Sequence, residues 1–391
     1  SMPARRQPAA ALPLAPAVVA ATEGPWTPGR LLAAALALPL AAPVYAESPP
    51  ERATLSLKVL DYLDSQPGSD RVRVRAPSLQ LTLPVAGRWA VGASVISDAI
   101  SGASPAYHSS ALGRFSDERN AGDLAVTHYF DDSTLTLGAA YSKESDYISR
   151  GLTLQGSTAS DDRNTTWNAG LAFNRDHIDP VNRIVRGERK QLRDLVIGVT
   201  QVLGRHDVAQ ITLGHAQQQG YLSDPYKALD QRPRTRDATR LLLRWNHHLE
   251  PIGATLRWQY RAWHDSWGLS AHTLGLDFVQ ALPAGFTVTP SLRLYTQSAA
   301  RFYVDADPDA GPFVPQPPPG AVYSTLDQRL SAFGARTLGL KLSRQFGPDW
   351  VVDIKFERYA QRASWRLGGS GSPGLAEFDA RSWQLGLSHS F

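Results

Sequence analysis

The sharpest catalytic pattern in the chain is His264-Asp265-Ser266-Trp267-Gly268. On a strand, His264 and Ser266 stand two residues apart and share one face. A histidine so placed can act as general base toward the serine hydroxyl, provided a third group orients it. No orienting Asn or Asp is identifiable, and the bland reading is an interfacial His beside a turn-forming Asp-Ser. Other candidates are weaker. His247-His248 are adjacent, so on a strand they point to opposite faces and cannot share one metal without distortion. His108 sits in a Ser- and Gly-rich stretch with Asp98 and Asp117 not far off, which suits loop hydrogen bonding better than a metal. Asp131-Asp132 and Asp161-Asp162 fall in short turns, where Asp is common for backbone reasons. Gly368-Gly369-Ser370-Gly371-Ser372 is no phosphate loop, because no Lys-Ser/Thr and no helix follow. Cys is absent, which removes thiolate metal sites, disulfides and a Cys nucleophile. No metal and no cofactor are expected.

A second constellation is electrostatic. Of 40 basic residues only six are Lys, and Arg makes planar, bidentate pairs and stays charged. Arg240, Arg244, Arg257, Arg261 and Arg293 fall on the polar faces of alternating segments, as do Asp277, Lys341, Asp353, Lys355 and Glu357. If those faces line a lumen, the arginines of neighbouring strands, ~4.8 Å apart, form a basic ladder on one wall. Such a wall either selects anions or is a solvated, salt-bridged lining.

The elements that must position these residues have a period of two. Phe286, Val288, Pro290, Leu292 and Leu294 alternate with Thr287, Thr289, Ser291, Arg293 and Tyr295. Leu338, Leu340 and Leu342 alternate with Thr337, Gly339, Lys341 and Ser343, and Trp383, Leu385 and Leu387 with Ser382, Gln384, Gly386 and Ser388. A helix would scatter these residues over all its faces. The segments run to ~10–14 residues, long for a soluble sandwich and right for tilted membrane strands. Sixteen are expected, near 52–62, 71–83, 88–100, 119–130, 133–144, 148–159, 165–176, 190–203, 207–219, 236–249, 253–264, 269–282, 286–298, 331–346, 350–363 and 378–391. Short connections alternate with long ones, about 101–118, 177–189, 220–235, 299–330 and 364–377. The pattern is that of an all-β, transmembrane antiparallel β-barrel with both termini periplasmic. Loops 101–118 and 299–330 are placed to narrow its opening, and Val314–Gly320 in the latter is Pro-rich and extended. Strand 71–83 shows a parity slip that a bulge near Ala76-Pro77 would correct. Aromatic residues are expected in two girdles. Trp89, Tyr129, Phe130, Phe286, Phe346, Trp350 and Phe391 lie at one end, and Tyr107, Tyr147, Tyr221, Trp263, Trp267, Phe302 and Trp365 at the other.

Arg30, the apolar run Leu31–Leu38 and Val44-Tyr45-Ala46 read as a secretory signal with its cleavage site. The expected organisation is residues 1–46 as signal peptide and N-terminal extension, and 47–391 as one barrel domain. A formal charge of +4 over 391 residues, with Asp and Glu nearly balancing Lys and Arg, gives no reason to expect nucleic acid as a partner. No run of 18 apolar residues exists, which argues against a polytopic helical membrane protein; a membrane-helix anchor is the alternative reading of the N-terminal segment, whose apolar run is short and Pro-broken. Outer-membrane lipids and the barrel-assembly machinery are the expected partners, the latter through the last strand, which ends in Phe391.

Longer blocks carry a family resemblance. They are Gly102–Ser109, Ser116-Asp117-Glu118-Arg119, Gly198–Leu203, Arg244-Trp245-Asn246-His247-His248, Gln328-Arg329-Leu330-Ser331-Ala332-Phe333-Gly334 and Trp365–Leu375. Together they resemble the uncharacterised outer-membrane family known as domain of unknown function 3570, over nearly all of the mature chain. The resemblance implies an outer-membrane location and no known activity. It also implies a neighbourhood of thioredoxin-like and flavin-transferase proteins, hence a periplasmic redox partner. The His264/Ser266 spacing is separately similar to that of outer-membrane lipid hydrolases. Three roles follow: a pore or a scaffold for a periplasmic or extracellular partner, a lipid hydrolase, or a structural component of an extracytoplasmic redox assembly.

Overall fold

The computed structural model describes residues 48–103, 114–227, 229–306, 309 and 315–391. The expected signal segment lies outside them, as does His108. Sixteen antiparallel strands follow one another in chain order. They are β1 (Thr54–Gln66), β2 (Ser69–Val85), β3 (Trp89–Ala103), β4 (Arg114–Tyr129), β5 (Ser133–Lys143), β6 (Tyr147–Ala159), β7 (Thr165–Ile178) and β8 (Glu188–Val202). Then come β9 (Asp207–Gly220), β10 (Thr235–Leu249), β11 (Ala254–Asp265), β12 (Ser270–Ala281), β13 (Phe286–Gln297), β14 (Phe333–Phe346), β15 (Trp350–Arg362) and β16 (Phe378–Ser390). Each pairs with its neighbours in sequence, and β1 closes on β16 into one barrel. The seam runs from Thr54 opposite Ser390 to Ser65 opposite Asp379. It is extended by Phe391, whose N–H donates to Ala53 O at 2.9 Å while Ala53 N–H donates to Phe391 O at 3.0 Å.

The burial pattern is that of a soluble protein turned inside out. On β14, Leu338, Leu340 and Leu342 are 53%, 50% and 39% exposed. They point outward, while Thr337, Gly339 and Lys341 point into the barrel. A similar outward belt of Leu, Val and Ile runs around the barrel, and small or polar residues are buried on the inner face. An apolar surface of this extent is stable only against hydrocarbon.

The termini share one end with the tight turns, the turn end, and long connections gather at the other, the loop end. Length does not alternate strictly. Three loop-end connections, at 67–68, 144–146 and 266–269, are also tight. In the β6–β7 turn, the Ser160 hydroxyl and the Asn164 amide hold the Asp162 carboxyl down at about 2.

The parity slip in β2 has a different origin from a bulge at Ala76-Pro77. Pairing with β1 runs unbroken through those residues, the β3 ladder skips them but keeps the same register on either side, and the register shift falls between Leu63 and Ser65 of β1. Val74 and Ala76 turn inward and pack with Tyr62, Phe378 and Ala380. Arg73 and Arg75 turn outward onto Asp61, at 2.6 and 3.3 Å. The strand rises beyond the bilayer here, so its outer face meets water and its inner face packs against neighbours.

The aromatic expectation divides in the same way. Trp89, Phe130, Phe346, Trp350 and Phe391 are exposed at the turn end. Trp267 instead packs inside the mouth with Trp263 and Phe302 against it, and Tyr141 is an exposed aromatic of the outer face.

The two faces predict opposite tolerances. Leu340→Arg should impair insertion by about 2–4 kcal/mol, while Lys341→Gln should leave heat-modifiable gel migration unchanged. Normal assembly of Leu340→Arg beside failure of Lys341→Gln would invert the face assignment.

Candidate functional site: a charged lumen and its closed mouth

The inner wall carries charge of both signs. Arg240 reaches across Gly214 to Asp194, with Nη2 at 2.8 Å from each carboxylate oxygen. Gly214 makes this possible, because a Cβ there would sit 2.7 Å from Arg240 Nε. Arg244 donates to Gln210 Oε1 at 3.2 Å. Arg257 stands directly across from Asp277, and Arg261 across from Thr273. Arg293 stands across from Gly275. Lys341 and Lys355 are cross-strand neighbours, and each has its own carboxylate: Asp353 at 3.5 Å and Glu357 at 2.8 Å. The wall is therefore an interleaved array rather than a ladder of one sign.

Sequence reading did not place three members of this wall, Asp194, Asp98 and Arg119. Asp194 lies on β8, one strand beyond β9, which separates it from Arg240. Asp98 and Arg119 form an ion pair on β3 and β4 in which neither side chain is more than 1% exposed. Inward parity was the available signal for all three.

At the loop end the lumen is crossed by connecting segments. The β9–β10 and β13–β14 connections pair through Gln231 and Ser324, with backbone N–H to O distances of 2.8 and 2.9 Å. Around that bridge lies a buried ion network. Arg232 donates to Asp327 Oδ2 at 2.7 Å and to Asp230 at 3.0 Å. Arg329 Nε donates to the two oxygens of Asp327 at 2.8 and 2.7 Å, and its Nη2 to Asp224 at 2.8 Å. Asp327 is fully buried. Burial alone would raise its carboxyl, but Arg329, Arg232 and Lys227 outweigh that and hold it well below the usual carboxylate range. Burial raises Asp230 and lowers Lys227. Arg329 and, more weakly, Arg71 of β2 add to the lowering of Lys227, while Asp327 and Asp224 oppose it.

An apolar layer backs the network. Leu330, Phe333, Trp267, Leu269, Tyr295 and Leu375 pack together. Gln297 Nε2 donates to the carbonyls of Arg329 and Ser331 at 3.0 and 2.6 Å. Gly334 lies against the Trp365 carbonyl with no room for a Cβ. The block Gln328–Gly334, which reads in sequence as a family feature, is thus the floor of the closure.

The His264 motif is built around a different residue from its supposed nucleophile. Asp265, 2% exposed, accepts from the backbone N–H groups of Trp267 and Leu269 at 2.9 and 3.0 Å. It also accepts from Arg236 Nε and Nη2 at 2.9 and 2.6 Å, and the Arg236 guanidinium lies 4.5 Å over the Trp267 ring. His264 faces outward, with Nδ1 2.9 Å from Ser270 Oγ. Ser266 lies past the strand end and accepts from Asp237 N–H at 3.0 Å. His264 and Ser266 thus have separate partners. His247 bonds Asp207 at 2.8 Å and His248 bonds Thr255 at 3.2 Å, on opposite faces. Among the described residues no group of three or more His, Asp or Glu is arranged to hold a metal.

A closed antiparallel barrel with an apolar outer belt and a charged interior defines an outer-membrane β-barrel protein. The chain belongs to the family described as Protein of unknown function (DUF3570), whose model matches residues 106–382. No curated protein sequence matches it. Among solved structures, a bacterial polysaccharide outer membrane secretin superposes with a TM-score of 0.52 at 8% identity, over 87% of this chain and 98% of that one. CdiB from Acinetobacter baumannii gives 0.48 at 9%, over 86% and 60%. The CymD monoaromatic hydrocarbon channel gives 0.44 at 11%, over 87% and 89%. At these identities the likeness is one of fold.

Removing the Asp265 carboxylate leaves a buried guanidinium and two buried amides without their acceptor. Asp265→Ala should cost about 3–5 kcal/mol and lower the thermal midpoint of the folded barrel, whereas Ser266→Ala should change it little. Equal midpoints for the two variants would contradict the assignment.

Proposed function

We propose that the protein is an outer-membrane pore held shut by its own loops, with the loop end facing outside. The observation that carries this reading is the pairing of a mixed-charge inner wall with a separate ion network at one mouth, centred on the fully buried Asp327. Sixteen strands are enough to enclose an aqueous channel. A lumen lined with Arg240, Arg257, Arg293, Lys341, Asp353 and Glu357 suits water and charged solutes. The Arg240–Asp194 and Lys355–Glu357 pairs are partly exposed, and water screens them, so each is worth little. The mouth is different. Breaking one partner of a buried pair costs about 3–5 kcal/mol, because the other charge stays buried and uncompensated. The Asp327 network therefore acts as a latch, and whatever releases it opens the pore.

Planar-bilayer conductance tests this. The unaltered protein should show rare or small openings, and Asp327→Asn should raise the open fraction at least tenfold while heat-modifiable migration persists. A folded Asp327→Asn barrel with no more current than the parent would favour a scaffold over a pore.

The wall makes a second prediction. Arg257→Gln with Arg261→Gln removes two cations beside Asp277 and should shift the selectivity of the open variant toward cations. Unchanged reversal potentials would make these arginines purely structural.

A further inference from the structure

The outer face carries an arginine cluster that the fold leaves unpaired. Arg150 on β6 and Arg175 on β7 are directly opposite each other in register. Both are exposed and both lie on the outward parity of their strands. Arg193 on β8 is opposite Phe173, which makes it the diagonal neighbour of Arg175, ~7–8 Å away. The Arg175 guanidinium lies 5.5 Å over the Phe173 ring. Lys143 and Arg189 stand on the same face toward the loops.

Like charges directly opposite on a sheet destabilise it unless an anion bridges them. Elsewhere the fold supplies that anion: outward Arg73 and Arg75 share Asp61. Here it does not. Among the described residues, no carboxylate pairs with Arg150, Arg175 or Arg193; the outward polar positions around them on β8 and β9 are Gln191, His215, Gln217 and Gln219, and the outward carboxylate in register with Arg193 is Asp237 on β10, two strands away. The cluster sits at the upper border of the apolar belt. Trp167, exposed at the turn end, is eight residues below Arg175 on the same strand face, which at ~3.3 Å per residue and the usual tilt spans most of the hydrocarbon.

Just below the arginines the outer face has a shallow concavity of about 830 Å³, lined by Leu152, Leu154, Leu171, Phe173 and Leu195 with Arg193 at its edge. Apolar groove and cationic rim are therefore continuous. We infer that this surface binds a phosphorylated glycolipid of the outer leaflet, with acyl chains in the concavity and phosphate bridging Arg150, Arg175 and Arg193. The inference rests on the loop end facing outside and not on whether the lumen conducts. Phosphate suits the site because its oxygens accept several charge-assisted bonds at once, and a ligand that binds only the folded barrel raises its stability.

The test is the thermal midpoint of the full-length barrel in neutral detergent, read by heat-modifiable migration. Bis-phosphorylated lipid A should raise it by several degrees, and high salt should remove most of the rise. Its dephosphorylated form and phosphatidylglycerol should each give less than half the effect. Arg150→Gln with Arg175→Gln and Arg193→Gln should abolish the rise, and the single Arg193→Gln variant should halve it should the triple variant fail to fold. An equal rise with dephosphorylated lipid, or with either variant, overturns the proposal. A larger rise with phosphatidylglycerol overturns it too, by assigning the surface to the other leaflet, while leaving the conductance test of the pore intact.

Discussion

No water reaches the hydrocarbon of a bilayer, so every backbone N–H and C=O at that depth must be satisfied within the protein. The pairing of β1 with β16, carried to its last residue by Ala53 and Phe391, satisfies that constraint for the whole sheet. The rest follows from it. A closed sheet has two faces, and the outward one must be apolar. Every charge at membrane depth must then turn inward, as Lys341 and Asp353 do between Leu340, Leu342 and Ile354. An arginine-rich chain with few lysines can place its cations on the inner wall, beyond the bilayer or at its border, and it uses all three.

Ion pairs do different work in those places. Along the wall, Arg240–Asp194 and Lys355–Glu357 are partly exposed, so water screens them and either partner is replaceable at small cost. Across the mouth, Asp327 is shared by Arg232 and Arg329 with almost no exposure. Such a pair contributes little net stability over an apolar equivalent, yet it is costly to break. That combination suits a latch, since it specifies one loop arrangement sharply and releases it in a single step. At the border, the outward arginines of β6, β7 and β8 pair with no carboxylate among the described residues.

Most of the fold was legible in the sequence, because period two is a local signal. The sixteen expected segments match the sixteen strands to within a few residues, apart from β4, which begins five residues early at Arg114. The closure at the mouth was not legible. Arg232 and Asp327 are 95 positions apart, and neither belongs to an alternating run. The slip in β2 was visible, but its cause was not: parity cannot show where a strand leaves the bilayer and inner and outer roles exchange. The His264 motif failed for a related reason. Residue type and spacing matched a catalytic dyad, yet the strand ends at Asp265, and that carboxylate organises the turn. The loop-end aromatics were counted as a girdle, while Trp267 belongs to the interior of the mouth.

A water-filled lumen shut at one end is directly measurable, because the sequence has no Cys. A single cysteine replacing Ser291, on the inner face of β13, would be exposed to a bulky, membrane-impermeant maleimide. A lumen latched at the loop end gives no labelling from outside intact cells, full labelling once the periplasm is opened, and labelling from outside when Asp327→Asn is added. Rapid labelling of Ser291→Cys from outside with Asp327 intact, or none from either side, would contradict it.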